Sequence, residues 1–159
     1  TGKPSPLGMC IKNGIIYGDY MTSYSVMAVK KDGTIYTPAQ GLMGKNLLAA
    51  GVKDTYNFGP VLIKDGEAQL PWAETEKYYP RTAVGMVKPN DYVLLVTDTG
   101  RYNGLNHWDM VNIFKSYGCT YAYNLDGGGS ATLYFNGKVM NKLIGNTQRP
   151  CADFLYFTR

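Results

Sequence analysis

Several residue patterns that commonly identify a function are missing or sparse in this chain. It contains one histidine and three cysteines among 159 residues, and the cysteines (Cys10, Cys119 and Cys151) form no Cys-x-x-Cys pair. Because no histidines stand beside them at metal-ligand spacing, a zinc site is not expected. An odd number of cysteines permits one disulfide at most. Any triad that depends on histidine would have to use His107.

Long apolar runs and clusters of basic residues are also missing. No apolar segment approaches the ~18 residues that a membrane-spanning helix needs. The 16 basic residues are scattered along the chain rather than gathered on one stretch. We therefore expect neither a membrane span nor binding to nucleic acid. The net charge of +4 fits a mild attraction for anionic substrates.

Glycine and tyrosine, in contrast, are plentiful, with 19 and 14 residues. Together with many asparagines, this composition is typical of secreted or surface proteins that handle carbohydrate, so we expect an extracellular or cell-surface location. The length suits a single domain, which can bury roughly 70% of the surface of its unfolded chain.

The stretch YAYNLDGGGSATLYF, residues 121–135, concentrates the unusual features. It places a carboxylate, Asp126, directly after a strand-like run. The next four residues are Gly127, Gly128, Gly129 and Ser130. Consecutive glycines lose much backbone entropy on folding, so they indicate a positive φ or a close backbone approach. The amides of the last three could point together and bind an anionic oxygen. The alternative is a tight turn in which Asp126 only caps its own backbone.

Charged residues also adjoin three other predicted strands. RTAVGMV begins with Arg81, whose planar fork matches phosphate, although a lone arginine here is more often a solvated surface residue. DYVLLVTDTGR is an almost continuous apolar run, typical of a strand buried on both faces, and ends with Asp98 and Arg101. Polar residues at the end of a buried strand are where α/β folds place chemistry. The loop KLIGNTQRP brings Arg149 ahead of a last predicted strand, residues 151–157.

Four segments, NLDGGGS, PRTAVG, VTDTGR and QRPCADFLYF, together resemble the motifs of the phosphodiester glycosidase family, in the family's order. The resemblance covers most of the chain from about Pro80 onward. It implies a hydrolase that releases a sugar such as N-acetylglucosamine from a phosphate-linked second group. One departure is Thr99, which interrupts an Asp-Gly-Arg sequence that is contiguous in the commoner family pattern.

The resemblance also implies roles for individual residues. The catalytic residues implied are Asp126, Asp98, Arg101 and Arg81. The substrate-binding residues implied are Asn124, Gly127, Gly128, Gly129, Ser130 and Arg149. His107 is added to them because it is the one histidine of the sequence and is predicted to lie near the end of the strand that carries Asp98 and Arg101. For two of these an alternative stays open: Arg149 could instead form a salt bridge that holds the turn, and His107 could be a surface histidine in the first turn of a helix. Trp72, Tyr78 and Tyr79, before Arg81, either form a wall for sugar stacking or pack over the edge of the core.

The beginning of the chain bears on its completeness. Family members usually carry an upstream strand that this sequence lacks, so the resemblance implies that residues 1–159 are the larger, C-terminal part of the family domain. An upstream segment or a second chain would then complete it. No cofactor is expected with certainty, although two aspartates beside a phosphate could hold Mg²⁺ or Ca²⁺.

Two other functions remain open on the sequence. The chain could be a non-catalytic module that binds a carbohydrate or phosphoglycan on a bacterial or phage surface. It could also be a structural piece of a larger assembly.

The predicted elements give an α+β fold, a mixed sheet with flanking helices in one domain. Hairpins are predicted at Asn13-Gly14, Asp32-Gly33, Asp65-Gly66 and Asn136-Gly137. Helices are predicted over residues 42–52, closed by Gly51, and 106–119, capped by Asn106. The apolar face of the second helix is predicted to comprise Met110, Val111, Phe114 and Tyr117.

Overall fold

The computed structural model describes residues 5–69, 77–98 and 104–157. Its strands are β1 (Cys10–Lys12), β2 (Ile15–Gly18), β3 (Ser25–Lys30), β4 (Ile35–Tyr36), β5 (Val52–Phe58), β6 (Val61–Lys64), β7 (Glu67–Ala68), β8 (Thr82–Lys88), β9 (Asp91–Val96), β10 (Tyr121–Leu125), β11 (Tyr134–Phe135) and β12 (Lys138–Val139). Its α-helices are α1 (Gly44–Ala49) and α2 (His107–Ser116). Short 3₁₀ turns occur at Gly128–Ser130 and Ile144–Asn146.

The larger sheet has five strands in the order β7-β6-β10-β8-β9. All of its pairs are antiparallel. Because β8 runs opposite to both β9 and β10, the start of β8 meets the ends of the other two at one end of the sheet. This is the end at which β10 leads into the glycines, and we call it the glycine-turn end.

A smaller antiparallel sheet, in the order β4-β3-β5, packs face to face with the first. The core between them is made by Met27, Val29, Ile35, Tyr56, Val84, Met86, Tyr121 and Tyr123. The hydroxyl of Tyr123 joins the two sheets, since it donates to the carbonyl of Ser25 and accepts the amide of Phe58 at 2.9 Å. Burial raises the pKa of Tyr56, Tyr121 and Tyr123 above the ordinary value.

Helices cover the outer faces of both sheets. Met110, Val111 and Phe114 of α2 pack on the five-stranded sheet against residues such as Ile63 and Ala122. On the other side, Leu47 of α1 packs with Met9 and Ile11 on the three-stranded sheet. The result is a layered α+β fold, as predicted. Tyr117, predicted to belong to the apolar face of α2, is instead 63% exposed at the C-terminal cap.

The turn residues account for the hairpins. Asn13, Asp65 and Asn136 all have positive φ values, between 48° and 52°, and each precedes a glycine that is also left-handed. This is the backbone of a type I′ turn, which matches the twist of the flanking strands. The four hairpins predicted from these dipeptides are confirmed.

Both predicted helices are confirmed. Gly51 has φ +85° just beyond α1 and ends that helix. Asn106 caps α2 by accepting the amide of Asp109 at 2.8 Å, while the Asp109 carboxylate accepts the Asn106 amide at 3.3 Å. The two bonds form a capping box, which satisfies amides that a helix start leaves unpaired.

Two strand predictions are wrong, and one strand was missed. Residues 151–157 form no strand, because this segment is held through its side chains, with Leu155 against the core between the sheets. β9 is not buried on both faces, because it is an edge strand with Asp91 and Leu94 exposed. The missed strand is β5, whose polar residues Lys53, Asp54 and Asn57 obscure the alternation in its sequence.

The cysteines and the helices complete the description of the fold. Cys10 and Cys119 are buried thiols, as expected for small core residues, whereas Cys151 is exposed.

Neither helix in the described ranges has the length and apolar character needed to cross a membrane.

Candidate active site

Strand register brings three of the predicted charged residues to the glycine-turn end of the sheet. Leu125 of β10 lies opposite Thr82 of β8, and Thr82 lies opposite Val96 of β9. Asp126 follows the first strand, Arg81 precedes the second, and Asp98 lies two residues beyond the third. Neighbouring strands are about 4.8 Å apart, so these backbones lie within roughly 10 Å of one another.

Asp126 is an exposed carboxylate whose two oxygens are both oriented by its own turn. One oxygen accepts the amide of Gly127 at 2.9 Å, and the other accepts the hydroxyl of Ser130 at 2.7 Å. The predicted capping role is therefore present. Each carboxylate oxygen has a further lone pair, so the group remains able to accept a proton or to face a positive centre. Asp126 can therefore cap the turn and still take part in a reaction.

Gly127 and Gly128 pack the turn against the backbone that precedes β8. The amide of Gly128 donates to the carbonyl of Pro80 at 2.8 Å. A Cβ on Gly127 would lie 2.5 Å from that same oxygen, so only glycine fits. Gly128 has φ +57°, which also favours glycine. The glycines thus allow the turn after Asp126 to pack against the backbone of Pro80 and Arg81.

The predicted nest of three amides is not formed. Gly128 donates to Pro80, and the amide of Ser130 donates to the carbonyl of Gly127 at 3.0 Å, because the turn folds into a 3₁₀ helix. Gly129 is the one of the three whose amide has no acceptor within the described part of the chain. The turn therefore presents one amide to a ligand rather than three.

Arg149 lies over this turn. Its Cδ is 3.5 Å from the position that a Cβ on Gly129 would take. The side chain is exposed, and in the described residues it forms no ion pair with Asp126 or Asp98. The predicted salt bridge that would hold the turn is thus not formed, and the guanidinium faces solvent beside Gly129.

Arg81 is half-buried and held by backbone carbonyls. Its Nε donates to Leu105 at 3.1 Å and one Nη donates to Lys77 at 3.0 Å. The guanidinium carbon lies 5.3 Å from the ring centre of Tyr79, within the range of a cation–π contact. Arg81 is therefore not a solvated surface arginine. It places a positive charge at a fixed position.

Asp98 is half-buried and connects the end of β9 to the segment after the glycine turn. One carboxylate oxygen accepts the amide of Lys142 at 3.0 Å. The neighbouring Asn141 donates to the carbonyl of Ala131 at 2.9 Å and accepts the amide of Leu133 at 2.7 Å. Sequence reasoning missed both Asn141 and Lys142. The available signal was an asparagine just after a hairpin, where such side chains often bond to nearby backbone.

Two predicted substrate-binding residues lie in the interior. Asn124 is 1% exposed, and its Nδ2 donates to the carbonyl of Gly59 at 2.7 Å. The side chain is buried in this structure, and its predicted role in binding the sugar stays a prediction. His107 is 5% exposed at the first position of α2, which excludes the surface-histidine interpretation. Its predicted contact with substrate also stays a prediction.

Some predictions concern residues outside the described ranges. Arg101, predicted to be catalytic, and Trp72, predicted to belong to a sugar-stacking wall, are among them. Tyr78 and Tyr79 are both about half exposed, and Tyr79 forms a β-bridge with Leu105.

Acidic residues, histidines and cysteines do not cluster in the parts of the chain that the structure describes. No group of three or more of these side chains there could hold a metal ion. Asp98 and Asp126 supply carboxylate oxygens at the glycine-turn end, and oxygens are the ligands that Mg²⁺ and Ca²⁺ prefer. A cation shared with a substrate phosphate therefore stays a prediction.

Comparison with known proteins gives consistent relatives. The SPbeta prophage-derived uncharacterized protein YomE of Bacillus subtilis (strain 168) is 31% identical over 160 residues, covering 94% of this chain. The N-acetylglucosamine-1-phosphodiester alpha-N-acetylglucosaminidase of Mus musculus is 28% identical over 156 residues, covering 82% of this chain. This chain spans only 25% and 29% of the lengths of those two proteins.

A solved structure shows the same fold. It is the zebrafish N-acetylglucosamine-1-phosphodiester alpha-N-acetylglucosaminidase catalytic domain, auto-inhibited by pro-peptide, and it superposes with a TM-score of 0.71 at 22% identity. The match covers 92% of this chain and 55% of the zebrafish chain. The profile of the family described as phosphodiester glycosidase matches residues 1–158. Since that match extends over nearly the whole sequence, the chain belongs to the phosphodiester glycosidase family.

Proposed function

We propose that the chain is a hydrolase that releases a sugar of the N-acetylglucosamine type from the phosphate of a sugar-1-phosphodiester. The observation that carries the proposal is the exposed Asp126 carboxylate, fixed by Gly127 and Ser130 at a strand end where Arg81 and Asp98 also lie. The activity for which the mouse relative is named supports the choice of sugar and linkage.

In the proposed reaction, water replaces the phosphate at the anomeric carbon of the sugar. The carbon–oxygen bond to the phosphate breaks, the bond to the water oxygen forms, and a proton leaves the water. A phosphate monoester is a good leaving group, so the reaction needs charge stabilisation more than general-acid help. Glycoside cleavage passes through an oxocarbenium-like centre, which a nearby carboxylate stabilises.

Asp126 is the first candidate for this carboxylate and Asp98 the second. Asp126 is exposed, whereas Asp98 is half-buried and accepts the amide of Lys142. Asp126 can therefore reach either the anomeric carbon or the attacking water, and Asp98 serves best as a group that shapes the site. Arg101, which lies outside the described ranges, keeps its proposed catalytic role together with Asp98.

Positive charge for the phosphate comes from Arg149 and Arg81. Arg149 is exposed beside Gly129, whose amide is available to the same oxygen. Charge-assisted hydrogen bonds from a guanidinium and an amide are suited to phosphate oxygens. Arg81, fixed by Leu105 and Lys77, adds to the positive potential at that point. In this proposal Arg149 binds the charge that the diester already carries, and the Gly129 amide and Arg81 favour the further negative charge that collects on the phosphate as it leaves.

The same proposal extends to location and partners. The prophage origin of one relative and the composition of the chain support action outside the cell or on a bacterial or phage surface. The substrate would then be a sugar phosphodiester within a phosphoglycan or exopolysaccharide.

The test is release of free sugar from an α-N-acetylglucosamine phosphodiester by the wild type and by Asp126→Asn. We expect the variant to lose at least about a hundred-fold in kcat while its circular dichroism stays unchanged. Asp65→Asn is the matched control, because Asp65 is an exposed aspartate in the turn between β6 and β7, at the opposite end of the sheet.

A chelator experiment and the binding behaviour of the wild type extend this test. A chelator that abolishes release would show that a divalent cation takes part. Full activity of Asp126→Asn contradicts the assignment of that residue. If the wild type binds the diester but gives no product, the function is that of a carbohydrate-binding or phosphoglycan-binding module instead.

A further inference from the structure

The last described segment, residues 149–157, forms no helix or strand and is held by side-chain contacts; we call it the C-terminal strap. At its start Arg149 packs over Gly129 of the glycine turn. Further along, Leu155 packs against the core between the sheets, and the ring of Phe157 lies 5.3 Å from that of Tyr92 on β9. The strap therefore runs from the candidate active site across the edges of both sheets.

The strap has one charged anchor, an ion pair between Asp153 and Lys12 of β1. Their atoms Oδ2 and Nζ are 2.9 Å apart. The same ammonium donates to the carbonyl of Thr55 at 2.9 Å and lies 3.4 Å from the ring centre of Tyr56. Lys12 is thus held by β5 independently of the strap, and it offers Asp153 a charge at a fixed point.

The connection between this anchor and Arg149 is short and stiff. Three residues separate Arg149 from Asp153, and the first of them is Pro150, whose ring fixes φ. Arg149 is itself exposed and forms no ion pair among the described residues. Its placement over Gly129 therefore depends on where the strap backbone lies.

We propose that Lys12 is a positioning residue for the candidate active site: its ion pair with Asp153 holds the strap so that Arg149 lies over the glycine turn and receives the substrate phosphate. This inference rests on the proposed function. It concerns ground-state binding, because a phosphodiester already carries its negative charge before the reaction begins. Loss of the anchor is then expected to raise KM and leave kcat unchanged.

The main variant is Asp153→Asn, which removes the charge and leaves Lys12 with Thr55 and Tyr56. We expect KM for the phosphodiester to rise about five-fold, as for a partly exposed ion pair, with kcat within about two-fold of wild type. The backbone order parameters of the non-proline residues of 149–153, measured by ¹⁵N relaxation, are expected to fall, and those of β8 and β10 to stay unchanged.

Companion variants separate positioning from general stability. Lys12→Met is expected to reproduce the rise in KM, and Lys12→Arg to retain wild-type KM because it keeps the charge and the contact with Tyr56. In an Arg149→Ala background, Asp153→Asn is expected to have no further effect, since both changes act through one group. Lys53→Met is the matched control, because Lys53 is an exposed lysine that pairs with Asp54 rather than with a residue of the strap.

Several outcomes would overturn the inference. Unchanged order parameters at 149–153 in Asp153→Asn would show that the ion pair does not hold the strap. Lower order parameters with unchanged KM would show that the strap does not position Arg149. If the wild type cleaves no diester, the proposed function fails independently of this inference. The affinity for N-acetylglucosamine-1-phosphate is then measured in place of KM. Equal affinities of wild type and Asp153→Asn would overturn the inference.

Discussion

At the residue scale, the three consecutive glycines differ in why glycine is needed. Gly127 is needed because a Cβ would meet the Pro80 carbonyl, although its φ of −126° suits any residue. A Cβ on Gly128 would meet no atom within 4 Å, but its backbone is left-handed, which favours glycine. Gly129 needs neither property, since a Cβ there would only contact Arg149 at 3.5 Å.

Alanine substitutions should therefore differ along the turn. Gly127→Ala is expected to lower the free energy of unfolding by about 1–3 kcal/mol through overpacking. Gly128→Ala should cost about 1 kcal/mol because of its positive φ. Gly129→Ala is expected to stay within about 0.5 kcal/mol. Urea denaturation of the three variants measures this order, and equal losses would contradict it.

Asn124 has a structural contact besides the sugar contact predicted for it. Its buried side chain donates to Gly59, so Asn124→Ala leaves a carbonyl oxygen in the interior without that donor. We expect a loss of about 1–3 kcal/mol in the free energy of unfolding. Asn46→Ala, on the exposed face of α1, is the control and should change it by less than about 0.5 kcal/mol. A stable Asn124→Ala protein that binds substrate weakly would favour the sugar contact over the structural one.

At the scale of elements, the sequence predicted those turns and helix ends that depend on one or two neighbouring residues. Asn-Gly and Asp-Gly pairs predicted the hairpins because the turn backbone depends on those two residues alone. Asn106 predicted the start of α2 for the same reason. Residues 151–157 look like a strand, but whether a segment joins a sheet depends on a free edge elsewhere in the fold. That information is not local, and the prediction failed.

The capping box of α2 also affects the candidate active site. Leu105, just before the cap, accepts the Nε of Arg81. Asn106→Ala should cost about 1 kcal/mol of stability, as other cap losses do. Thermal unfolding measures this, with Ser116→Ala at the exposed last turn as a control. Faster amide exchange near Leu105 would show that the cap also supports Arg81, and unchanged stability would contradict the role of the cap.

At the scale of the whole molecule, the two sheets enclose hydroxyls that resist ionisation. Burial raises the pKa of Tyr56, Tyr121 and Tyr123 above the ordinary value of 10.0. The folded chain therefore keeps these protons at a pH where the unfolded chain loses them. The stability from this source is fully present below pH 10 and is lost as pH rises above it.

We expect the free energy of unfolding to fall steeply as the pH rises above 10. Each buried tyrosine contributes up to about 1.4 kcal/mol of lost stability per pH unit above its unfolded pKa. Urea denaturation between pH 9 and 11, followed with tyrosinate absorbance, measures the slope. Tyr121→Phe should reduce the slope, whereas Tyr17→Phe should not, because Tyr17 is 66% exposed. Equal slopes in both variants would contradict the explanation.

The sequence by itself determined the family, the α+β class, the hairpins and both helices, because those depend on motifs and on the chemistry of neighbouring residues. It also identified the turn with Asp126, since a carboxylate before three glycines is unusual in any context. Only the tertiary structure decided that Asn124 and His107 are buried, that the amides of the turn do not converge, and that Arg149 is tied through Asp153 to Lys12. These are contacts between residues far apart in the chain, and they depend on how sheets and helices pack rather than on local preference.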